Sequence, residues 1–190
     1  MENFKRPLIE EYEINPQTMA IIPMEYGSKI YSKILEVDEE LISPFKPYEI
    51  IKKSCQYFGS SYEGRKEGTR ELIGITHKAP IVIDTNTSIY FFPTTSPVNI
   101  QCIWFAHDHI LSHRKDSSNQ TIVVFRNKQS LIAPVSYRSF QNQVLRTALL
   151  KTKLMQRIRD AEKKSSIYFR AVEWQEEASD KKGSYFISLV

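Results

Sequence analysis

The sequence predicts an α+β fold: a mostly antiparallel β-sheet with one short helix (about 47–58) and one long C-terminal amphipathic helix (about 139–162). Three observations lead to this prediction. Short apolar segments with alternating pattern are separated by turn residues, as in strands, and two other segments repeat apolar residues at helical spacing. With 190 residues, 41% hydrophobic and 25% charged, the chain also has enough apolar surface for one sizeable core.

The N-terminal part of the chain is predicted to form an antiparallel meander. Tyr12 and Ile14 alternate with acidic residues, and an apolar run at 19–22 follows the turn at Asn15-Pro16. A second alternating segment, at 30–36, follows another turn. Five further strands are predicted downstream, at about 81–83, 89–92, 103–110, 122–125 and 131–135.

The short helix is predicted from its ends and its apolar stripe. Pro47 favours a helix start, because proline fits the first helical turn. Gly59 is placed to end the helix. Between them, the residues at helical spacing are Ile50, Ile51, Ser54, Cys55 and Phe58.

The long helix has an apolar and a basic face. The apolar residues are Phe140, Val144, Ala148, Met155 and Ile158. Leu145 and Leu149 widen this stripe, so we expect the helix to bury a broad face. Arg146, Lys153 and Arg157 share the far side, which can lie against phosphates or be an ordinary solvated face. The helical pattern breaks after residue 164, which predicts one domain over 1–164 and a C-terminal tail, a candidate docking segment, over 165–190.

A glycine-rich stretch from Ser54 to Ile83 holds four of the six glycines and is predicted to form a loop. Its cations stand among aromatic residues, a combination that suits a polyanion. The candidate contacts to a nucleic acid here are Arg65, Lys66, Arg70, His77 and Lys78, with Ser60 and Ser61 as phosphate anchors. The alternative is a solvated loop whose aromatic side chains attach it to the core.

The charge distribution favours the same kind of partner. Residues 1–45 carry 4 basic and 9 acidic side chains, whereas residues 46–164 have a net charge of +10 and residues 165–190 of −1. A basic centre between acidic ends is typical of a protein that binds a polyanion, unless the ends fold back and neutralise it.

Several other classes of protein are disfavoured. No apolar run approaches the ~20 residues needed to cross a bilayer, and the N-terminus lacks the apolar segment of a signal peptide. Cys55 and Cys102 are typical of reduced cytosolic thiols, so we expect a cytoplasmic protein. Gly59 and Gly64 have the spacing of a phosphate-binding Walker loop, but the Lys-Ser/Thr pair that should follow is absent.

One group of residues keeps an enzymatic alternative open. His107, His109 and His113 would supply metal ligands if His107 and His109 projected from the same face of a strand. A metal-dependent nucleic-acid enzyme is therefore the less favoured alternative. Neither cysteine has a catalytic signature, and no nucleophile elbow is present. We predict a protein without catalysis, cofactor or metal.

Several long motifs in order resemble the ComK family of competence transcription factors from Bacillus and related Firmicutes. They are SCQYFGSSYEGRKEGT at 54–69, THKAPIVID at 76–84, FFPT at 91–94, QCIWFAHDH at 101–109 and SYRSFQNQVLRTALLKTK at 136–153. The resemblance implies an activator of DNA-uptake and recombination genes that binds paired AT-rich boxes through the minor groove as a dimer of dimers, without a cofactor. A regulatory paralogue that acts by protein–protein contact is the alternative.

The resemblance also implies control by a MecA-type adaptor that delivers the protein to a Clp protease. The adaptor-contact region of the family follows the long helix, which here corresponds to about 167–177 and to Ile167, Tyr168, Phe169 and Trp174. The sequence departs from the family pattern in this region.

Overall fold

A computed structural model describes residues 7–116 and 119–186, with side chains described as far as residue 168. The chain forms two compact units, Met1–Lys151 and Thr152–Val190. The predicted boundary between a domain over 1–164 and a docking tail over 165–190 is a different division, and it stays a prediction. Among the described helices, none combines the length and apolar character that a membrane span requires.

The described residues confirm the α+β class. Within residues 7–116 and 119–186, nine strands and three α-helices follow one another, together with one turn of 3-10 helix at His107–His109. The elements are β1 (Thr18–Tyr26), β2 (Lys29–Glu36), β3 (Glu40–Ser43), α1 (Pro47–Tyr57), α2 (Tyr62–Ile73), β4 (Ile81–Asp84), β5 (Ile89–Pro93), β6 (Trp104–Ala106), β7 (Ile110–Lys115), β8 (Thr121–Phe125), β9 (Ser130–Ala133) and α3 (Tyr137–Phe186).

The first unit is built on a six-stranded sheet with the order β3-β2-β1-β6-β5-β4, in which every pair is antiparallel. Successive side chains of a strand point to opposite faces, and here both faces are apolar. Phe91 and Trp104 belong to the core on one face, while Phe92 and Phe105 belong to the core on the other. Both faces of the sheet must therefore be covered.

Helices α1 and α2 contribute to the core on the first face. Ile50, Ile51 and Cys55 of α1 are buried there, and the ring of Tyr62, the first residue of α2, stands edge-on to the Trp104 indole at 6.3 Å. The predicted short helix is confirmed, with Pro47 at its first turn.

The second face is covered by the three-stranded sheet β7-β8-β9 and the first turns of α3. Phe92, Phe105, Phe125 and Phe140 form an aromatic cluster with ring centroids 5.2–6.0 Å apart. Aromatic pairs at such distances add to the stabilisation from apolar burial. Phe140 thus fixes the start of α3 against this face.

Three predictions about secondary structure are wrong. Tyr12 and Ile14 are buried but belong to no strand, because the Ile14 N–H donates to the Ser54 hydroxyl of α1 at 3.0 Å instead of to a neighbouring strand. The predicted strand at 103–110 is interrupted by the 3-10 turn His107–His109. The long helix does not end near 162 but continues to Phe186. Residues 137–182 contain no glycine or proline that would end it earlier.

The predicted broad apolar face of α3 is also wrong. Leu145 and Leu149 are 59% and 47% exposed, whereas Phe140 and Leu150 are buried. The buried stripe of α3 instead runs through Phe140, Gln143, Thr147 and Leu150, at steps of three and four residues, so that Leu145 and Leu149 lie outside it.

Lys151, which points toward the apolar side of the helical wheel, forms an ion pair with Asp108 in the 3-10 turn. The other carboxylate oxygen of Asp108 accepts a hydrogen bond from His107 Nδ1 at 2.9 Å. The His107 hydrogen bond and the Lys151 ammonium outweigh partial burial and lower the pKa of Asp108 to about 2. The ionised carboxylate therefore stabilises the contact between this turn and α3.

We expect Asp108→Asn to lower the free energy of unfolding at pH 7 by about 1 kcal/mol, a value reduced for solvent screening of a half-exposed group. Because the folded-state pKa lies below the ordinary value of 3.8, the stabilisation is complete above that pH and is lost as the pH falls toward 2. Urea denaturation of both proteins between pH 7 and pH 3 measures the difference. The exposed Asp38→Asn is the control, and equal stability of Asp108→Asn and wild type at pH 7 would contradict the prediction.

Candidate nucleic-acid interface

The glycine-rich stretch is not a loop, because residues 62–73 form helix α2. The Ser61 hydroxyl caps its start by accepting the Gly64 N–H at 2.9 Å. Gly74 ends it with a φ of +72°, a conformation that glycine adopts without steric cost. Each interior glycine costs a helix only about 1 kcal/mol relative to alanine, and the two caps offset much of that. These caps are the sequence features that could have revealed α2.

The two serine candidates lie at the N-terminal end of α2. The Ser61 hydroxyl is engaged in the cap, and Ser60 is half-buried beside it. At ~1.5 Å per residue along a helix, Ser61 stands about 14 Å from Arg70. The serines are therefore separated from the cations at the other end of the helix, and their role as phosphate anchors stays a prediction.

Arg65 is directed into the protein. Its Nη2 donates to the carbonyl of Ile83 in β4 at 3.3 Å, and its Nε is buried without a hydrogen-bond partner among the described residues. The guanidinium thus ties α2 to the edge of the central sheet. This geometry favours a structural role for Arg65 over the predicted contact with nucleic acid.

The other candidate cations of the first unit border two open depressions, each with a volume of about 280 Å³. The α2 depression is lined by Lys66, Glu67, Arg70, Thr76 and His77. The α3 depression is lined by His77, Lys78, Ser139, Asn142, Gln143 and Arg146. His77 belongs to both. The structure thus brings five of the predicted residues onto one surface, which we call the basic surface: Lys66, Arg70, His77, Lys78 and Arg146.

A sharp bend at His77 and Lys78 separates the two depressions. His77 is exposed, and Lys78 has a φ of +49°, which a non-glycine residue rarely adopts. Hydrogen bonds hold the bend on both sides: Gln143 Nε2 donates to the Lys78 carbonyl at 2.9 Å, and Thr69 Oγ1 donates to the Pro80 carbonyl at 2.8 Å. Helices α2 and α3 therefore fix the bend jointly.

The two depressions differ in net charge. In the α2 depression, Glu67 Oε1 lies 2.8 Å from Arg70 Nη2, and both side chains are more than half exposed. The residues that line the α3 depression include no acid. An anion that enters the α2 depression must compete with Glu67, whereas one that enters the α3 depression has no such competitor among the lining residues.

The remaining candidates lie in the second unit. Lys153 and Arg157 are exposed on α3, as are Ile167 and Tyr168, at 69% and 66%. The side chains of Phe169 and Trp174 lie outside the described residues.

The histidine array does not form the arrangement that a metal site on a strand requires. His107 pairs with Asp108, His109 Nε2 lies 2.9 Å from the Pro16 carbonyl, and His113 packs between the Tyr137 and Phe140 rings. Burial lowers the pKa of His113, which keeps its ring neutral. Within the part of the chain that the structure describes, no three His, Cys, Asp or Glu side chains converge as metal ligands would.

The amino-acid sequence is similar to proteins of one known family. A family model described as "ComK protein" matches residues 9–159. The competence transcription factor of Bacillus subtilis (strain 168) is 45% identical over 150 residues, which cover 79% of this chain and 78% of the relative. No solved structure gives a significant match. The family match spans the whole basic surface and ends before Ile167.

Proposed function

The chain belongs to the ComK family, and on that premise we propose that it is a DNA-binding transcription activator of competence genes, without catalysis. The observation that carries the proposal is the basic surface: five cationic or titratable side chains from α2, the bend and α3 around two adjoining depressions. Lysine and arginine clustered on one face are the electrostatic footprint of a nucleic-acid-binding protein. Most of their contacts are expected to be with phosphates.

We further propose that the bend at His77 and Lys78 enters the minor groove of AT-rich boxes. A minor groove about 6 Å wide admits a thin backbone segment but not a helix, and A·T tracts narrow it and deepen its negative potential. With α2 folded as a helix, the segment from Gly74 to Pro80 is the thin element that carries cations on this surface. The depressions on either side of the bend are then placed to receive backbone phosphates.

The competing arrangement is α2 in the major groove, and base substitution distinguishes the two. Replacing A·T by inosine·cytosine pairs preserves the minor-groove acceptors but changes the major-groove pattern, whereas guanine·cytosine adds an amino group to the minor groove. We expect affinity for a two-box duplex to change little with inosine and to fall with guanine. Fluorescence anisotropy at constant salt measures both.

Two outcomes would contradict the proposal at different levels. Equal losses with inosine and guanine, of about 1–3 kcal/mol per altered contact, would favour α2 as a major-groove element. Failure of the folded protein to bind any duplex would reject the DNA-binding function and favour a regulator that acts through protein contacts.

The Glu67–Arg70 pair generates a second prediction. Glu67→Gln frees Arg70 for a phosphate, and since an exposed ion pair is worth up to about 1 kcal/mol, we expect DNA affinity to rise by up to about fivefold. The dependence of log affinity on log salt should steepen by about one unit, because one more counterion is released.

The matched control for this variant is Glu25→Gln in the β1–β2 hairpin, which makes the same change in net charge at an exposed position. Its effect reports the long-range electrostatic contribution alone. If both variants raise affinity equally, Glu67 does not compete for Arg70 at the DNA interface.

We also propose that residues 165–190 dock a MecA-type adaptor and are not needed for DNA binding. Exposed Ile167 and Tyr168, beyond the region that the family model matches, support this proposal. Truncation after Lys164 should leave DNA affinity within about twofold of wild type, since the basic surface is untouched. It should also lengthen the protein's lifetime in cells, measured after synthesis is blocked. Unfolding of the truncated protein would show instead that the tail completes the fold.

A further inference from the structure

We propose that the α3 depression binds a single backbone phosphate of the DNA, and that Gln143 is the positioning residue that arranges its two cations. This inference rests on the proposed function and extends it, since it separates a phosphate contact from the contacts that recognise bases. It assigns a role to a neutral, buried side chain that no charge pattern would select.

Gln143 contacts both cationic residues of the depression. It is 2% exposed, and its Nε2 donates to the Lys78 carbonyl at 2.9 Å and to the Pro93 carbonyl at 2.7 Å. Its Oε1 accepts from Arg146 Nη1 at 3.3 Å. One amide thus fixes the backbone of the first cationic residue and the guanidinium of the second. The Pro93 contact fixes the amide itself to the end of β5.

The backbone at Lys78 supports a functional reason for this arrangement. A non-glycine residue with a φ of +49° is strained and persists only where the surroundings impose it. The Gln143 hydrogen bond to the Lys78 carbonyl is such a constraint. The strained conformation sets the direction in which the Lys78 side chain leaves the bend, on the rim of the α3 depression.

The chemistry of the lining residues selects an anion. Lys78 and Arg146 are cations, and Ser139, Asn142 and His77 can each donate a hydrogen bond. The contact with Gln143 uses only one of the five N–H groups of the Arg146 guanidinium, which leaves a planar group suited to two phosphate oxygens. A carboxylate in place of Gln143 would cancel the charge of Arg146 and would have no N–H to donate to the Lys78 and Pro93 carbonyls. The amide orients the guanidinium and preserves its charge.

The test replaces single phosphates of a two-box duplex by neutral methylphosphonates, one position at a time, and measures affinity by anisotropy. For wild type we expect neutralisation at each contacted phosphate to weaken binding, and roughly tenfold at the one position per half-site that occupies the α3 depression, the size of a lost charge-assisted contact. Arg146→Ala should bind the duplex modified at that position and the unmodified duplex equally. Gln143→Met should lose the same selectivity, because Arg146 and Lys78 are no longer positioned. Gln143→Glu keeps the side-chain shape and should also lose this selectivity, because the carboxylate cancels the charge of Arg146 and cannot donate to the Lys78 carbonyl.

Two controls separate positioning from stability. Thr147→Val removes a buried hydrogen bond one turn along α3, from Thr147 Oγ1 to the Gln143 carbonyl, without touching the depression. Arg138→Ala removes an exposed cation of the same helix that does not line it. Both control variants should keep the wild-type response at the sensitive phosphate. This should hold even if Thr147→Val lowers the midpoint of urea unfolding as much as Gln143→Met does, because the response depends on the position of the cations and not on stability.

The outcomes distinguish this inference from the proposed function. If wild type binds DNA but Arg146→Ala keeps the wild-type response at every position, the phosphate site is wrong. If Arg146→Ala loses the response at the sensitive phosphate but the Gln143 variants keep it, the positioning role of Gln143 is wrong. If wild type binds no duplex, the proposed function fails, and titration with inorganic phosphate decides the site. Chemical-shift changes at the Lys78 and Ser139 amides that Arg146→Ala abolishes would then identify a site for free phosphate, and their absence would overturn it.

Discussion

The structure of the first unit depends on the burial of both faces of its central sheet. Trp104 and Phe105 are adjacent in β6 yet belong to different cores, and so do Phe91 and Phe92 in β5. One face is covered by α1 and α2 and the other by the small sheet and the start of α3, so the two covers reach the sheet from opposite sides. They meet beyond β4, an edge strand, where the segment after α2 bends to enter the sheet. The basic surface lies at this meeting point, because Thr69 of α2 and Gln143 of α3 both hold the bend.

The parts of this fold that local patterns specify could be predicted from the sequence. Helix α1 begins at Pro47 and the next turn contains Gly59, as expected, while β1 follows from the apolar run at 19–22 and β2 from the alternation after Gly27. The sequence pattern does not predict helix α2, because interior glycines are typical of loops. In the structure, the caps at Ser61 and Gly74 and the burial of Tyr62 and Thr69 outweigh the small destabilisation that the glycines cause. The exposure of Leu145 could not be predicted, since it depends on how much of the core other elements have already filled.

The candidate site was predictable in its charges but not in its geometry. The pattern of charges in the sequence identifies Lys66, Arg70, His77, Lys78 and Arg146 as candidate contacts. It identifies Arg65 in the same way, although the Arg65 guanidinium is hydrogen-bonded to the Ile83 carbonyl. Gln143 illustrates the opposite error. Its amide carries no charge and marks no motif, and its partner Lys78 is 65 residues away in the sequence. Side chains that organise a site through tertiary hydrogen bonds leave no local pattern from which a single sequence could reveal them.

Helix α3 holds two cations in two different ways, and the difference follows from what each must do. Lys151 is paired with the Asp108 carboxylate, which partly neutralises it, and this suits a residue that joins α3 to the 3-10 turn. Arg146 is held by the neutral amide of Gln143, so its full charge remains available to a ligand. Arg70, paired with Glu67, lies between these cases, since an exposed ion pair is weak enough for a phosphate to displace. A protein that binds a polyanion needs rigid cations that are not neutralised by their own supports. An amide provides that rigidity, because it accepts a hydrogen bond from the guanidinium without contributing a negative charge.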